Sequence, residues 1–299
     1  QNGHSDVDVK KSKFVFVGRS DADLRKLEEV ESLFAKHGPT HVLHCAARLA
    51  SIKEMCDKPV DFWLDNVTVN NNVLSAAHKF QSWLGPIKVV SVLSTVMFPK
   101  DATTLPMGVS DIFCGQLHPA AESYGLGKRA LAFLSQWYRK QHGDNFVSVL
   151  PANFFGDGDF DPATAPLVNA LIAKAEIAKA ESKPLMVMGS GKPERQVMFA
   201  EDLARVVLWA LDNYDEADPL IVAGEEYSVR QLAEAVCEAT GLKEGLAFDA
   251  SGPDGPLKRT ADTAGFKELL PDFKFTPLEE GIRKTLDSYR RSKRSKTAS

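Results

Sequence analysis

Apolar positions along this chain alternate between two periods, and the alternation predicts strands interleaved with helices. Phe14, Val15, Phe16 and Val17 form a short apolar run ending at Gly18, and residues 40–47 form another. Between them Leu24, Leu27, Val30, Leu33 and Phe34 recur at the spacing of one helix face. That is a β-α-β unit. A second helix is expected through Phe62, Val69, Val73 and Ala77, then a strand over residues 89–94, a long loop, and a helix from Tyr124 to about Gln141. Residues 146–151 read as the next strand, and a Gly/Asp/Pro-rich segment over 156–166 breaks the rhythm. Helical patterns return over 167–179, 202–213 and 229–240. Such an order implies an α/β fold, with a parallel sheet covered on both faces and a smaller lobe built from the later segments.

In an open parallel sheet, ligands lie beyond the carboxyl ends of the strands. Four stretches fall there: Gly18-Arg19-Ser20-Asp21, Cys45-Ala46-Ala47, Ser94-Thr95 and Pro151-Ala152-Asn153. Tyr124 and Lys128 add chemistry to that edge. Their i, i+4 spacing puts phenol and ammonium on one helix face, and the expectation is that the Lys128 charge lowers the phenol from its usual pKa of about 10. Tyr124 then serves as general acid, with the Ser94 hydroxyl holding the same substrate oxygen. This is a hydride-transfer signature.

Composition narrows the setting. The 299 residues are 44% hydrophobic with a formal net charge of -4, which gives no general argument for nucleic acid or an anionic membrane. Only the end of the chain is locally basic, at Arg290, Arg291, Lys293, Arg294 and Lys296, and it reads as a solvated tail. Cys45, Cys56, Cys114 and Cys237 show no metal spacing, so free thiols in the cytoplasm or another reducing intracellular compartment fit best. No apolar run approaches the ~20 residues of a membrane span, and no signal-peptide pattern is present. The first residue is Gln rather than Met, so the chain is expected to be processed, cut or incomplete at its N-terminus. His41 and His44 are expected on opposite faces of a strand, and His37 adds no ligand geometry. The alternating aspartates of 156–161 lack a calcium-loop frame, and Gly189-Ser-Gly191 reads as a hairpin turn before the strand of Arg195.

Longer segments carry a family resemblance. Pro39-Thr-His-Val-Leu-His44, Asp61-Phe-Trp63, Asn66-Val67, Leu93-Ser-Thr95, Phe98-Pro99, Tyr124 to Lys128, Pro151-Ala-Asn153, Gly189-Ser-Gly-Lys-Pro193, Glu201-Asp-Leu203 and Leu270-Pro-Asp-Phe-Lys-Phe-Thr-Pro277 resemble the GDP-L-fucose synthases. These are extended short-chain dehydrogenases/reductases, and the similarity covers nearly the whole chain.

The resemblance implies a Rossmann-type parallel sheet, with a cofactor domain over 1–153, a substrate lobe over 154–288 and a basic tail over 289–299. It implies NADP(H) as cofactor and 3,5-epimerisation and 4-reduction of GDP-4-keto-6-deoxymannose as the reaction. Ser94, Tyr124 and Lys128 match the catalytic triad, Lys128 also reaching the nicotinamide ribose. Ala46, Ala47, Leu93, Thr95, Asn153 and Phe154 match cofactor positions. Arg19 suits the 2′-phosphate of NADP and reads equally as an exposed loop arginine. Lys174, Arg195, Asp254 and Lys258 or Arg259 match substrate contacts, where cations suit a diphosphate, although Lys174 alone also reads as a solvated helix lysine. A homodimer, or a place in a larger assembly, is implied as well.

Departures from the family are equally specific. Its first strand and Gly-rich turn are expected to be absent here, a loss that bears on pyrophosphate binding. The cysteine and histidine that exchange protons during epimerisation align with Val96 and Pro166, neither of which has a titratable proton. Cys114 or His118 substitutes for them only if the loop before Tyr124 folds across the site. Leu49-Ala50-Ser51 is bulkier than the family's glycines, and Met188 stands where a large aromatic stacks on the purine. A second reading therefore accompanies the enzyme: a catalytically degenerate member serving as a structural subunit of a larger complex.

Overall fold

The computed structural model describes residues 13–102, 104–249, 251 and 256–297. Asp254 lies outside the described residues. The chain divides into two compact units. Unit 1 comprises the described part of Gln1–Pro99 with Val109–Leu150 and Arg205–Leu220; unit 2 comprises Lys100–Gly108, Pro151–Ala204 and the described part of Ile221–Ser299.

Unit 1 is built on parallel strands β1 (His41–His44), β2 (Lys88–Val92) and β3 (Phe146–Pro151), in the order β1-β2-β3, and the next strand in the sheet, β7 (Leu220–Val222), begins in unit 1 at Leu220 and continues into unit 2. Every residue of β3 is buried. A run such as Phe-Val-Ser-Val-Leu-Pro is stable there because side chains on both faces meet protein rather than water. The helices are α1 (Leu27–His37), α2 (Ile52–Asp57), α3 (Pro59–Leu84) and α4 (Glu122–His142). Their ends follow from local chemistry. Pro59 opens α3, where its missing N–H costs nothing, and Gly38 and Gly143 close α1 and α4 in the left-handed conformation.

Unit 2 contains β4 (Asn153–Phe155), α5 (Leu167–Ala180), β5 (Leu185–Met188), β6 (Glu194–Phe199), β8 (Glu226–Ser228), α7 (Val229–Thr240), β9 (Leu246–Asp249), α8 (Ala264–Leu269) and α9 (Leu278–Thr297); α6 (Ala200–Asn213) begins in it and continues into unit 1. Strands β4, β6 and β8 form one small sheet and β5 with β9 another. A Ser228/Gln231 capping box starts α7 at the expected residue. Apolar faces of α5, α7 and α9 close on one core that includes Leu171, Ile172, Leu232, Val236, Ile282 and Leu286.

Three expectations are corrected. Residues 13–18 form no strand, and Phe16 is 91% exposed; alternation supplies the residue types of a strand, but no described strand offers this segment a hydrogen-bonding neighbour. Gly189-Ser-Gly191 is a turn without a hairpin, since β5 pairs with β9 while β6 pairs with β4 and β8. The basic segment is no solvated tail at its start, because α9 runs on to Thr297 and Tyr289 is buried against unit 2. Arg290 there pairs with Glu176 at 2.9 Å.

Candidate active site

Ser94 follows β2 in extended conformation and caps a 3-10 turn at Thr95–Met97, its Oγ accepting from the Val96 N–H at 3.4 Å. Tyr124 sits in the first turn of α4 and shares a hydrogen bond with Ser94. Lys128 lies one turn further, 4% exposed, and donates from Nζ to the Val92 carbonyl at 2.6 Å. The three predicted residues are thus brought together within unit 1. Around the phenol stand Met55, Phe62, Ala47, Ala50, Val96 and Ala121, a largely apolar wall.

That wall reverses the expected electrostatics. Burial pushes Tyr124 up to about 12, the Ser94 hydrogen bond offsetting only part of it. Burial also pushes Lys128 down to about 8. The ammonium lies 5.8 Å from the ring centroid of Tyr124, and desolvation of both groups outweighs any help the charge gives the phenolate. Tyr124 is therefore a firmly protonated acid at neutral pH.

Two tethers hold the loops around this centre. Arg129 donates to the carbonyls of Met97 (2.9 Å), Gly115 (3.0 Å) and Cys114 (2.7 Å), fixing the segment that precedes α4. Asn66 brackets Arg48, accepting from its N–H at 2.9 Å and donating to its carbonyl at 3.0 Å, while the Arg48 side chain pairs with Asp65 at 2.7 Å. Neither tether was among the sequence candidates. Asn66 stands inside a motif shared with the family, and Arg129 follows Lys128 directly, but its three carbonyl acceptors lie 14 to 32 residues away in sequence.

Gly125 and Gly127 let α4 approach its neighbours. A Cβ on Gly125 would meet Leu117 at 2.8 Å and the Val96 carbonyl at 3.0 Å, and one on Gly127 would meet Asn66 at 3.2 Å. Cys114 and His118 are engaged locally: the Cys114 thiol donates to the Ser110 carbonyl at 3.1 Å and His118 Nδ1 accepts from the Ala120 N–H at 3.2 Å. Pro166 caps α5, its carbonyl accepting from Ala170.

The expected cofactor positions are distributed over both units. Leu93 is buried, Thr95, Ala46 and Ala47 are half-buried, and all four adjoin the carboxyl ends of β1 and β2. Asn153 and Phe154 lie in β4 of unit 2, with Asn153 Nδ2 donating to the Gln196 carbonyl at 3.0 Å. Arg19 stands in an exposed turn rather than after a strand.

Unit 2 holds a cavity of about 180 Å³ between α5, β5, β6 and the start of α7. Lys174 and Arg195 line it together with Met186 and Met188, whereas Lys258 and Arg259 are not among its lining residues. Arg195 is held by the carbonyls of Glu194 (2.6 Å) and Pro256 (2.9 Å). Lys258 pairs with Glu194 at 2.9 Å and Glu226 at 2.7 Å, while burial and the nearby Arg195 charge lower Arg259. Gly191, at φ 76°, closes the cavity where a Cβ would collide with the Phe248 ring.

A sequence model described as the NAD dependent epimerase/dehydratase family matches residues 4–229. The chain is similar to GDP-L-fucose synthase of Dictyostelium discoideum, 37% identical over 292 residues, covering 95% of this chain and 90% of that one. The chain belongs to the GDP-L-fucose synthase family. Solved structures agree with that membership. A GDP-L-fucose synthetase from Naegleria fowleri superposes with a TM-score of 0.87 at 33% identity, covering 94% of this chain and 86% of that one. The same Naegleria protein bound to NADP gives 0.86. These relatives favour an enzyme over a purely structural subunit. Among the described residues, no helix is long and apolar enough to cross a membrane.

Proposed function

We propose that this chain converts GDP-4-keto-6-deoxymannose to GDP-L-fucose with NADP(H), by 3,5-epimerisation and 4-reduction. The hydrogen bond between Ser94 and Tyr124, with Lys128 anchored one turn away, carries the reduction half of this reading. Bound NADPH supplies the hydride. Tyr124 donates a proton to the C4 oxygen, and Ser94 holds that oxygen for the transfer. An ammonium has three N–H donors and Val92 takes one, which leaves Lys128 suited to ribose hydroxyls. Leu93, Thr95, Ala46, Ala47, Asn153 and Phe154 are the further residues proposed to meet the cofactor.

In unit 2, the cavity with Lys174 and Arg195 suits the nucleoside diphosphate, two cations beside a largely apolar wall. Lys258, Arg259 and Asp254 complete the proposed contacts. The epimerisation half draws its protons from groups other than Val96 and Pro166, whose side chains have none to exchange.

A reaction in deuterium oxide tests both halves. The expected result is one NADPH oxidised per sugar, with deuterium at C3 and C5 of the product. Reduction without label would remove the epimerisation half, and no NADPH oxidation would remove the reading altogether. We also propose a homodimer in a reducing intracellular compartment. Four unpaired thiols support the compartment. An aromatic stack of Phe113, Phe133 and the 57% exposed Trp137 on and beside α4 supports a partner surface, and a monomeric mass in sedimentation would sink it.

A further inference from the structure

His44, at the end of β1, is 3% exposed. Its Nε2 lies 2.8 Å from Asn70 Oδ1, and Asn70 Nδ2 donates to the Gly127 carbonyl at 3.3 Å. The polarity of this line is fixed from its far end. A carbonyl only accepts, so the NH₂ of Asn70 faces Gly127 and its oxygen faces His44. His44 must then donate from Nε2–H, and its neutral form is the Nε2–H tautomer with Nδ1 bare. The line ends on the backbone immediately before Lys128, at the glycine where an added Cβ would meet Asn66 of α3 at 3.2 Å.

The groups near His44 make a charge there unwelcome. Lys128 faces it from α4, Asn70 from α3, and Ser91 is its registered partner on β2. Burial and the Lys128 charge push His44 down to about 4. The imidazole is thus a permanent neutral donor at ordinary pH. It does not reach the reacting atoms; it acts on the turn of α4 that carries the ammonium.

We infer that His44 is a positioning residue for Lys128, acting through Asn70 and the Gly127 carbonyl. This inference rests on the proposed reductase chemistry for its kinetic consequence, but its structural content stands apart from that reading. The line restricts how Lys128 presents its remaining N–H donors, and loosening it lowers turnover more than substrate binding.

Two measurements decide it. Nitrogen NMR of the histidines in the apo chain reads the tautomer without any substrate: protonated Nε2 and bare Nδ1 at His44 is expected, and the opposite tautomer overturns the inference. In turnover assays, His44→Leu is expected to lower kcat about tenfold with KM changed less than about twofold, and His44→Gln, which keeps an N–H donor, to recover most of the loss.

Asn70→Leu should lose as much as His44→Leu, and the double variant no more than either, since all three break one line. The double variant also removes both buried polar partners, so a loss that it shares with the single variants is not the cost of one unsatisfied group. Wild-type turnover in the double variant would show that the pair merely satisfies itself, and would overturn the inference. Ser91→Ala, next to His44 but outside the line, is expected to leave kcat unchanged. Should the wild-type chain not turn over the keto-sugar, the functional reading fails while NMR still decides the line. The Lys128 side-chain resonances in the double variant are then expected to move from their wild-type positions, and unmoved resonances would overturn the inference.

Discussion

Lys128 places its ammonium on the Val92 carbonyl at 2.6 Å, not on the oxygen of Tyr124. The consequence is a pH profile set by the lysine. Burial holds Lys128 at about 8 and Tyr124 at about 12. Between these values the phenol keeps its proton while the ammonium loses its charge. Reductive kcat at saturating NADPH is expected to fall above about pH 8 with a single proton lost, and Lys128→Met to remove the activity. A limb that persists unchanged in a weakly active Lys128→Arg variant would assign it to another group.

The same burial has a stability cost of opposite sign. The folded-state pKa of Lys128 lies below its unfolded value, so between about 8 and 10.5 the unfolded chain binds more protons and stability rises with pH. Below that window the buried charge is retained at a cost on the order of 3 kcal/mol. Tyr124 contributes the reverse, a stabilising effect that is lost as pH climbs from 10 toward about 12. Lys128→Met should therefore melt higher than wild type at pH 7, with the difference shrinking toward pH 10. A lower melting temperature at pH 7 would show that the Val92 hydrogen bond outweighs desolvation.

Much of this site was legible as sequence, and the part that was not has a common cause. Tyr124 and Lys128 are related by helix geometry, so their spacing placed them on one face before any coordinates. Which group the ammonium meets depends on β2, a strand distant in sequence, and the direction of both pKa shifts depends on burial, which only tertiary packing sets. The same limit explains residues 14–17, whose alternation is strand-like but whose partner no local pattern supplies. It explains Gly189 to Gly191 too, where the turn was readable and the separate sheets of β5 and β6 were not. In α9 the signal was present and outweighed by charge: Leu278, Ile282, Leu286 and Tyr289 keep helical spacing into the basic segment.

Arg129 gives a prediction about the loop before α4. One guanidinium serves three carbonyls, of Met97, Gly115 and Cys114. A lysine offers the charge without the planar fork. Arg129→Lys is expected to fold, to expose residues 109–118 to limited proteolysis and to lower kcat several-fold. Amide exchange in that segment equal to wild type would show that the loop holds without the arginine.

Gly125 tests the close approach of α4. Glycine within a helix normally costs up to about 1 kcal/mol relative to alanine, so Gly125→Ala should stabilise an isolated helix. Here the added methyl meets the Val96 carbonyl at 3.0 Å and Leu117 at 2.8 Å. Backbone cannot yield as a side chain does, and Val96 immediately follows the Ser94–Thr95 segment. The variant is expected to lose about 1–3 kcal/mol, the cost of overpacking, and to shift Ser94 relative to Tyr124. A denaturation midpoint at or above wild type would mean that the turn relaxes freely.

Arg195 is the residue on which the proposed nucleotide binding in unit 2 most directly depends. Its Nη1 is already fixed by the carbonyls of Glu194 and Pro256, so little side-chain freedom remains to be lost when a diphosphate arrives. Lys174 shares the cavity without an anchor of that kind among the described residues, and Lys258 is engaged by Glu194 and Glu226. Arg195→Ala should therefore weaken GDP binding more than Lys174→Ala, by about 1.5–3 kcal/mol, the range for hydrogen bonds to charged groups. Arg195→Lys should recover only part, because a point charge cannot reproduce the fork. Calorimetric titration with GDP reads this ordering directly. Unchanged affinity in Arg195→Ala would place the diphosphate elsewhere, and a larger loss at Lys174 would make the helix lysine the principal contact.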